Sequence, residues 1–172
     1  MVPARLMGCL AAVAVMSAIG CVSGESYTDA TYNFGAVQRV AVLDVAGGAL
    51  GGEGGRNYVA DQVGLELMKK GYQVLERAQM QELLREQNFE LSGATSQADA
   101  VRAGRLLNVD AVLMANVIEY GDQIDLTAKM VDPESGQVVW YGTGSATTGG
   151  SLPTIAGAAL GGGTGVALGG SR

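Results

Sequence analysis

Residues 109–131 read VDAVLMANVIEYGDQIDLTAKMV, and this stretch carries the strongest strand signals of the chain. Val109 to Tyr120 is a long, mostly apolar run, and Gly121-Asp122 follows it as a turn. From Gln123 to Val131 apolar and polar residues alternate, which is typical of a strand with one face in solvent. The stretch therefore predicts two long antiparallel strands, around which the rest of the domain is interpreted.

The segments on either side predict further strands. Asp132 to Gly136 is a turn with Pro and Gly at suitable positions, and Gln137 to Ala146 completes an antiparallel meander. Upstream, Val37 to Val45 is a β-branched run that indicates a largely buried strand, and Tyr72 to Leu75 indicates a short one.

Three helices are predicted between these strands. The first is capped by Asn57 and ends at Gly71, the second runs from Gln79 to about Gln87, and the third is capped by Ser96 and runs to Leu107. The order β-α-β-α-α-β-β-β predicts an α/β two-layer sandwich: a mixed sheet with helices on one face and a C-terminal antiparallel meander.

The amino terminus has the pattern of a secretory signal. Arg5 precedes an uncharged run from Leu6 to Ile19, and Gly20-Cys21 follows at once. A small residue directly before cysteine at this place resembles the lipobox of bacterial lipoproteins, which predicts lipidation of Cys21. An ordinary signal or a short membrane anchor is the alternative, although a span needs about 20 apolar residues. Cys9 comes too early, with almost no apolar run before it.

Four regions are predicted: a lipoprotein signal peptide at 1–20, a tether at 21–36, the α/β domain at 37–147 and a glycine-rich tail at 148–172. The tether is assigned because Val22 to Gly35 is rich in Ser, Thr, Gly, Tyr and Asp and lacks helical or strand periodicity.

The tail has two interpretations. Glycine recurs at every fourth position, which would let a helix over residues 151–170 pack closely within lipid; these residues are Gly157, Gly161, Gly165 and Gly169. A flexible tail is favoured, because each glycine costs a helix about 1 kcal/mol relative to alanine.

Composition argues against catalysis and against nucleic acid. The formal charge is −6, histidine is absent, and the chain has no basic cluster. Once Cys9 is cleaved off and Cys21 is acylated, no thiol remains for a disulfide, a metal or a nucleophile. We therefore predict no enzyme activity, no catalytic residue, no cofactor, no metal site and no small-molecule substrate.

Three weaker sequence features allow a functional interpretation, but each also has a structural explanation. Asp44, at the end of the first predicted strand, and Glu76, after the second, could form a carboxylate pair. An ion pair of Glu76 with a neighbouring cation, and a role of Arg77 in ordering the next helix, are favoured. The glycines of 46–55 lack the Gly-Lys-Ser/Thr ending of a phosphate loop, so a mobile loop is favoured. The aromatic pair Trp140-Tyr141 is a candidate interface, with core packing as the favoured alternative.

Several segments resemble the curli secretion-channel family, the CsgG-like lipoproteins. They are RVAVLD at 39–44, VLERAQMQELLREQ at 74–87, LSG at 91–93, AGRLLNVDAVL at 103–113 and VDPESGQV at 131–138. The resemblance implies a non-catalytic domain in the periplasm, anchored by lipid to the outer membrane, assembled as a ring, and acting in export or assembly.

The chain departs from the secretion channel in two places. A membrane-crossing hairpin would interrupt the segment between Tyr120 and Ile124, where only three residues intervene, and the loop at 46–55 holds no aromatic residue to constrict a pore. We therefore expect no full transmembrane barrel. The fold also looks like that of the lipoproteins that activate penicillin-binding proteins, so the alternative is a binding module that regulates a cell-wall enzyme. The expected partners are a membrane and a protein or a second copy of the chain.

Overall fold

A computed structural model describes residues 22–47, 50, 52–89, 96–147 and 159–160. The predicted signal peptide, Cys21, the LSG motif and most of the tail lie outside these residues. The described part contains six strands, three α-helices and one 3-10 helix, at Phe34–Ala36. Their bounds are β1 Val22–Thr28, β2 Arg39–Ala46, α1 Glu53–Lys69, β3 Gln73–Val74, α2 Arg77–Glu86, α3 Gln97–Leu107, β4 Ala111–Tyr120, β5 Gln123–Val131 and β6 Val138–Thr147.

The strands form one mixed sheet in the order β1-β6-β5-β4-β2-β3. Strand β2 pairs in parallel with β3 and with β4, whereas β4, β5, β6 and β1 pair antiparallel in that sequence. The hairpin of β4 and β5 closes with Tyr120 opposite Gln123. The α/β class, the mixed sheet and the C-terminal meander are therefore confirmed.

The helices lie on both faces of the sheet, and the expectation of one face is wrong in this respect. Val40 and Val42 of β2 belong to the same core cluster as α1, whereas Ala41 and Leu43 belong to the cluster that contains α2 and α3. The physical reason is the strand order. The chain moves outward from β2 to β3 and then returns past β2 to β4, and right-handed crossovers in opposite directions place their helices on opposite faces.

Strand β1 is absent from the sequence-based prediction. The expectation of irregular structure from Val22 to Gly35 is wrong, because β1 pairs with β6 from Val22 opposite Ala146 to Thr28 opposite Trp140. Residues 22–36 thus contribute to the domain. The strand carries little apolar periodicity because it is an edge strand, held largely by backbone hydrogen bonds to β6.

The helix ends match the sequence signals unevenly. Ser96 and Asp99 form a reciprocal capping box at the start of α3, and Gly71, at φ 91°, closes α1, so both predicted ends are confirmed. Asn57 as the cap of α1 is wrong, because α1 begins at Glu53. The sequence did not indicate this start, because the first turn contains glycines, which have a low helix propensity. Glycine is required at Gly55, since a Cβ there would overlap the Leu50 carbonyl oxygen.

Two apolar clusters, one on each face of the sheet, make up the core. The cluster on the α1 side includes Trp140, and it also includes Ala159 and Leu160 from the tail. A Cβ added to Gly142 would lie 2.2 Å from the Ala159 carbonyl oxygen. A flexible tail is therefore contradicted at Ala159 and Leu160, which are fully buried.

Gly104 in α3 provides a test of how tightly this helix packs. A Cβ at Gly104 would lie 2.4 Å from Pro133 Cγ and 2.7 Å from Val112 Cγ2. We expect Gly104→Ala to lower the free energy of unfolding by about 1–3 kcal/mol, because overpacking outweighs the helix propensity gained. Urea unfolding followed by circular dichroism measures this change.

Gly64→Ala in α1 is the matched control. A Cβ at Gly64 would lie 3.5 Å from Val74 Cγ1, which is an ordinary contact. We expect no loss and a gain of up to about 1 kcal/mol from helix propensity. Equal effects of the two substitutions would contradict the packing described for α3.

Candidate functional site

The segments that resemble the CsgG-like family, apart from LSG at 91–93, which lies outside the described residues, meet in the structure and form its framework. Asp110, just before β4, accepts hydrogen bonds from the backbone N–H groups of Gln38 and Arg39, each at 2.8 Å. The Asp110 N–H in turn donates to the Arg39 carbonyl oxygen at 3.0 Å. Asp110 therefore joins the starts of the two central parallel strands, and its conspicuous place in the motif is explained by structure.

The same holds for the motif in α3 and the turn before β6. Arg105 Nε donates to the Pro133 carbonyl oxygen at 2.9 Å, and Gln97 donates to the Gly136 carbonyl oxygen. Asp132 accepts from the Glu134 N–H at 2.8 Å and so shapes the turn itself. These contacts fix α3 against the meander, so the shared motifs define a fold rather than a reactive centre.

Among the described residues, the face of the sheet that carries α2 and α3 also has a polar area that these helices do not cover. Strand registers align one row of residues across five strands, namely Tyr27, Tyr141, Lys129, Met114 and Asp44. The next row is formed by Glu25, Thr143, Thr127, Asn116 and Ala46. Side chains two apart on a strand share a face, so both rows point to the same side.

Asp44, a candidate for the predicted carboxylate pair, lines a cavity of about 380 Å³ on this open face. The cavity also contacts Asn116, Thr127, Lys129 and Tyr141. These groups supply hydrogen-bond donors and acceptors, and no hydrogen bond of the described residues joins Asp44 or Lys129 to the hydroxyl group of Thr127 or Tyr141, as an activated nucleophile would require. The cavity fits a binding surface better than a reaction centre.

Glu76 and Arg77 line a different cavity, a groove of about 700 Å³ between α1 and α2 at the β3 edge. Asp44 and Glu76 are therefore not brought together. The favoured ion pair of Glu76 is not formed either, because the one ion pair among the described residues joins Lys69 Nζ to Glu66 Oε1 at 2.6 Å. Arg77 begins α2, and its Nε is buried without a hydrogen-bond partner.

The predicted aromatic pair is divided between the two faces. Trp140 is fully buried in the core, so an interface role is wrong for Trp140. Tyr141 is 42 % exposed on the open face and remains a candidate interface residue. Alternation along β6 separates the two rings, as neighbours on a strand point to opposite sides.

A third cavity lies at the opposite end of the sheet from the β4–β5 turn and is acidic. Tyr32 lines it together with Asp110, Asp132 and Glu134. Burial, and then the carboxylates led by Asp132 and Asp110, raise the pKa of Tyr32 to about 12. Hydrogen bonds from Gln123 and Ser145 lower the pKa of Asp125 on the open face.

The raised pKa of Tyr32 predicts a late step in an alkaline titration. The folded protein disfavours the phenolate, so the stabilising contribution of neutral Tyr32 is complete below its ordinary pKa of 10.0 and is lost as pH rises towards about 12. We expect Tyr32→Phe to remove the phenolate absorbance that develops last. In the urea-unfolded protein, the Tyr32 hydroxyl group should titrate in the same pH range as those of the other tyrosines. An unchanged late step in Tyr32→Phe would contradict this assignment.

Among the described residues, no group of three or more His, Cys, Asp or Glu side chains could hold a metal ion. Within the same part of the chain, none of the helices combines the length and the apolar character needed to cross a bilayer. The reactive residues that the sequence offered thus remain dispersed over separate surfaces.

The fold defines an α/β domain of a type found in several solved structures. It is similar to the LpoB C-terminal domain from Salmonella enterica, with TM-score 0.56, 15% identity, 64% of this chain and 82% of that chain covered. It is similar to the lipoprotein GNA1162 from Neisseria meningitidis, with TM-score 0.53, 20% identity, and 67% and 84% covered. A PelC dodecamer from Paraburkholderia phytofirmans gives TM-score 0.51, 19% identity, and 80% and 90% covered. At these identities the likeness shows the fold alone.

A family model also matches part of the chain in sequence. Residues 52–129, from the start of α1 into β5, match the model of the curli production assembly/transport component CsgG. The predicted resemblance is confirmed, since this region of the chain matches the CsgG family model. No curated protein matches the chain.

Proposed function

We propose that this chain is a non-catalytic, lipid-anchored periplasmic protein that acts in export or assembly at the outer membrane, as an oligomer. The observation that carries the proposal is the CsgG match over residues 52–129, since its family description names an assembly and transport component. The dispersed reactive residues agree with a role without catalysis.

The β4–β5 connection supports a role without the full channel. Tyr120 pairs directly with Gln123, so the turn between these strands contains only Gly121 and Asp122. The segment at which the secretion channel would insert a membrane-crossing hairpin is thus closed here. We infer that the domain works as an accessory on the membrane surface.

A regulator of a cell-wall enzyme is the second candidate. The likeness to the LpoB C-terminal domain favours it at the level of fold. The two candidates differ in assembly: an export or assembly component is expected to form a ring, and the regulatory module is expected to be a monomer.

Lipidation of Cys21 gives the first test. We expect the wild-type protein to have a mass above that of its polypeptide, because the lipid is covalently attached. We also expect it to sediment with outer membranes, because each acyl methylene buried in the bilayer stabilises binding by about 0.8 kcal/mol. Cys21→Ser should abolish both properties, whereas Cys9→Ser, within the predicted signal peptide, should leave both unchanged. A Cys21→Ser product that still sediments, unaltered in mass, would refute the anchor.

Native mass of the detergent-extracted protein gives the second test. A closed, symmetric multimer is expected, since head-to-tail contacts that close by rotation form rings. A protein that is monomeric across a wide concentration range would exclude the ring and favour the regulatory module.

A further inference from the structure

The distance between the proposed anchor and the folded domain is very short. Val22, the first residue of β1, directly follows Cys21 in the chain. One extended residue spans about 3.3–3.6 Å, whereas the predicted tether at 21–36 would have reached several tens of ångströms. Strand β1 is also held in the sheet by pairing with β6 along its whole length. A lipid on Cys21 would therefore restrain the orientation of the domain as well as its location.

Strand register identifies which end of the sheet lies beside the anchor. Val22 pairs with Ala146, Ala146 with Ile124, and Ile124 with Glu119, so one row crosses from β1 to β4. The next row outward contains Thr147, Gln123 and Tyr120. Neighbouring strands are about 4.8 Å apart, which places the β4–β5 turn roughly 10–14 Å to the side of the first residue of β1.

This end of the sheet exposes apolar surface. Tyr120 is 66 % exposed and Ile118 is 37 % exposed, and both side chains lie on the same face of β4. The turn at the other end of the sheet is polar, with Glu134 and Ser135 exposed. The two turns therefore differ in the surface that they can present to a bilayer, since the exposed Tyr27 and Tyr141 lie within strands β1 and β6 and in neither turn.

We propose that Tyr120, at the β4–β5 turn, contacts the lipid headgroup region and fixes the domain upright on the membrane, with the acidic cavity at Tyr32 facing away. This inference rests on the lipidation of Cys21 given under Proposed function. Tyrosine suits this position because its ring is apolar and its hydroxyl group stays hydrated.

The charges around Tyr120 limit the depth of the contact. Glu119 and Asp122 are exposed on the same hairpin, and burial of either carboxylate in hydrocarbon would cost several kcal/mol. The turn has only two residues, so it cannot carry these groups past the headgroups. The contact is therefore interfacial, and the acyl chains supply the affinity.

A single introduced thiol tests the orientation, because the mature lipidated chain has no other. Asp122→Cys, which keeps Tyr120, and Ser135→Cys are prepared as full-length lipoproteins, labelled with an environment-sensitive fluorophore, and placed in phosphatidylethanolamine–phosphatidylglycerol vesicles with or without nitroxide lipid. Asp122→Cys combined with Tyr120→Ser is the matched variant, which keeps the probe and lacks the aromatic ring. We expect nitroxide lipid to reduce emission about twofold at position 122 and hardly at 135, and to reduce it less at 122 once Tyr120 is replaced. Equal quenching at 122 with and without Tyr120 would overturn the Tyr120 contact.

The outcomes separate this inference from the proposed function. Equal, weak quenching at both ends in protein that sediments with vesicles would overturn the orientation and leave the anchor intact. Stronger quenching at 135 than at the β4–β5 turn would also overturn it. Protein that lacks the lipid mass and does not sediment would overturn both proposals.

Discussion

The parallel pairing of β2 with β4 is the constraint on which the rest of the structure depends. Ala41 opposite Val112 faces one helical layer, and Val42 opposite Leu113 faces the other, so the pair is apolar on both sides. Covering both sides requires helices in two layers, which fixes the direction of each crossover. The Asp110 carboxylate holds the starts of these strands together, and the meander extends the sheet from β4 outward.

How far the sequence predicted this structure depends on the kind of signal. The β5 strand was predicted with its observed bounds, because Leu126, Ala128 and Met130 alternate with polar neighbours and face the core. The Ser96 cap was predicted because serine favours the position before a helix, and the structure adds Asp99, three residues away, as its capping-box partner. Both are local signals, which a single segment carries without knowledge of its partners.

Features that depend on distant partners were missed. Strand β1 gains its structure from the backbone of β6, and its side chains gave no periodic signal. The two helical layers follow from strand order, which local pattern does not encode. For the candidate site, Trp140 and Tyr141 were predicted together as one aromatic pair, whereas alternation along β6 places Trp140 in the core and Tyr141 on the exposed face. Cys21 lies outside the described residues, so its role remains a prediction. The open polar rows could not be foreseen, since they align residues from five strands.

The packing of Ala159 and Leu160 against the sheet has a practical consequence. Trp140 is the single tryptophan of the chain, and its ring lies over Gly142, where the Ala159 carbonyl oxygen also sits. Indole emission depends strongly on hydration, so the intrinsic fluorescence of the native protein reports whether Ala159 and Leu160 remain packed against the sheet. Proteolytic trimming, a fusion tag at the carboxyl terminus, or assembly that displaces this segment would register as a red shift without any added label.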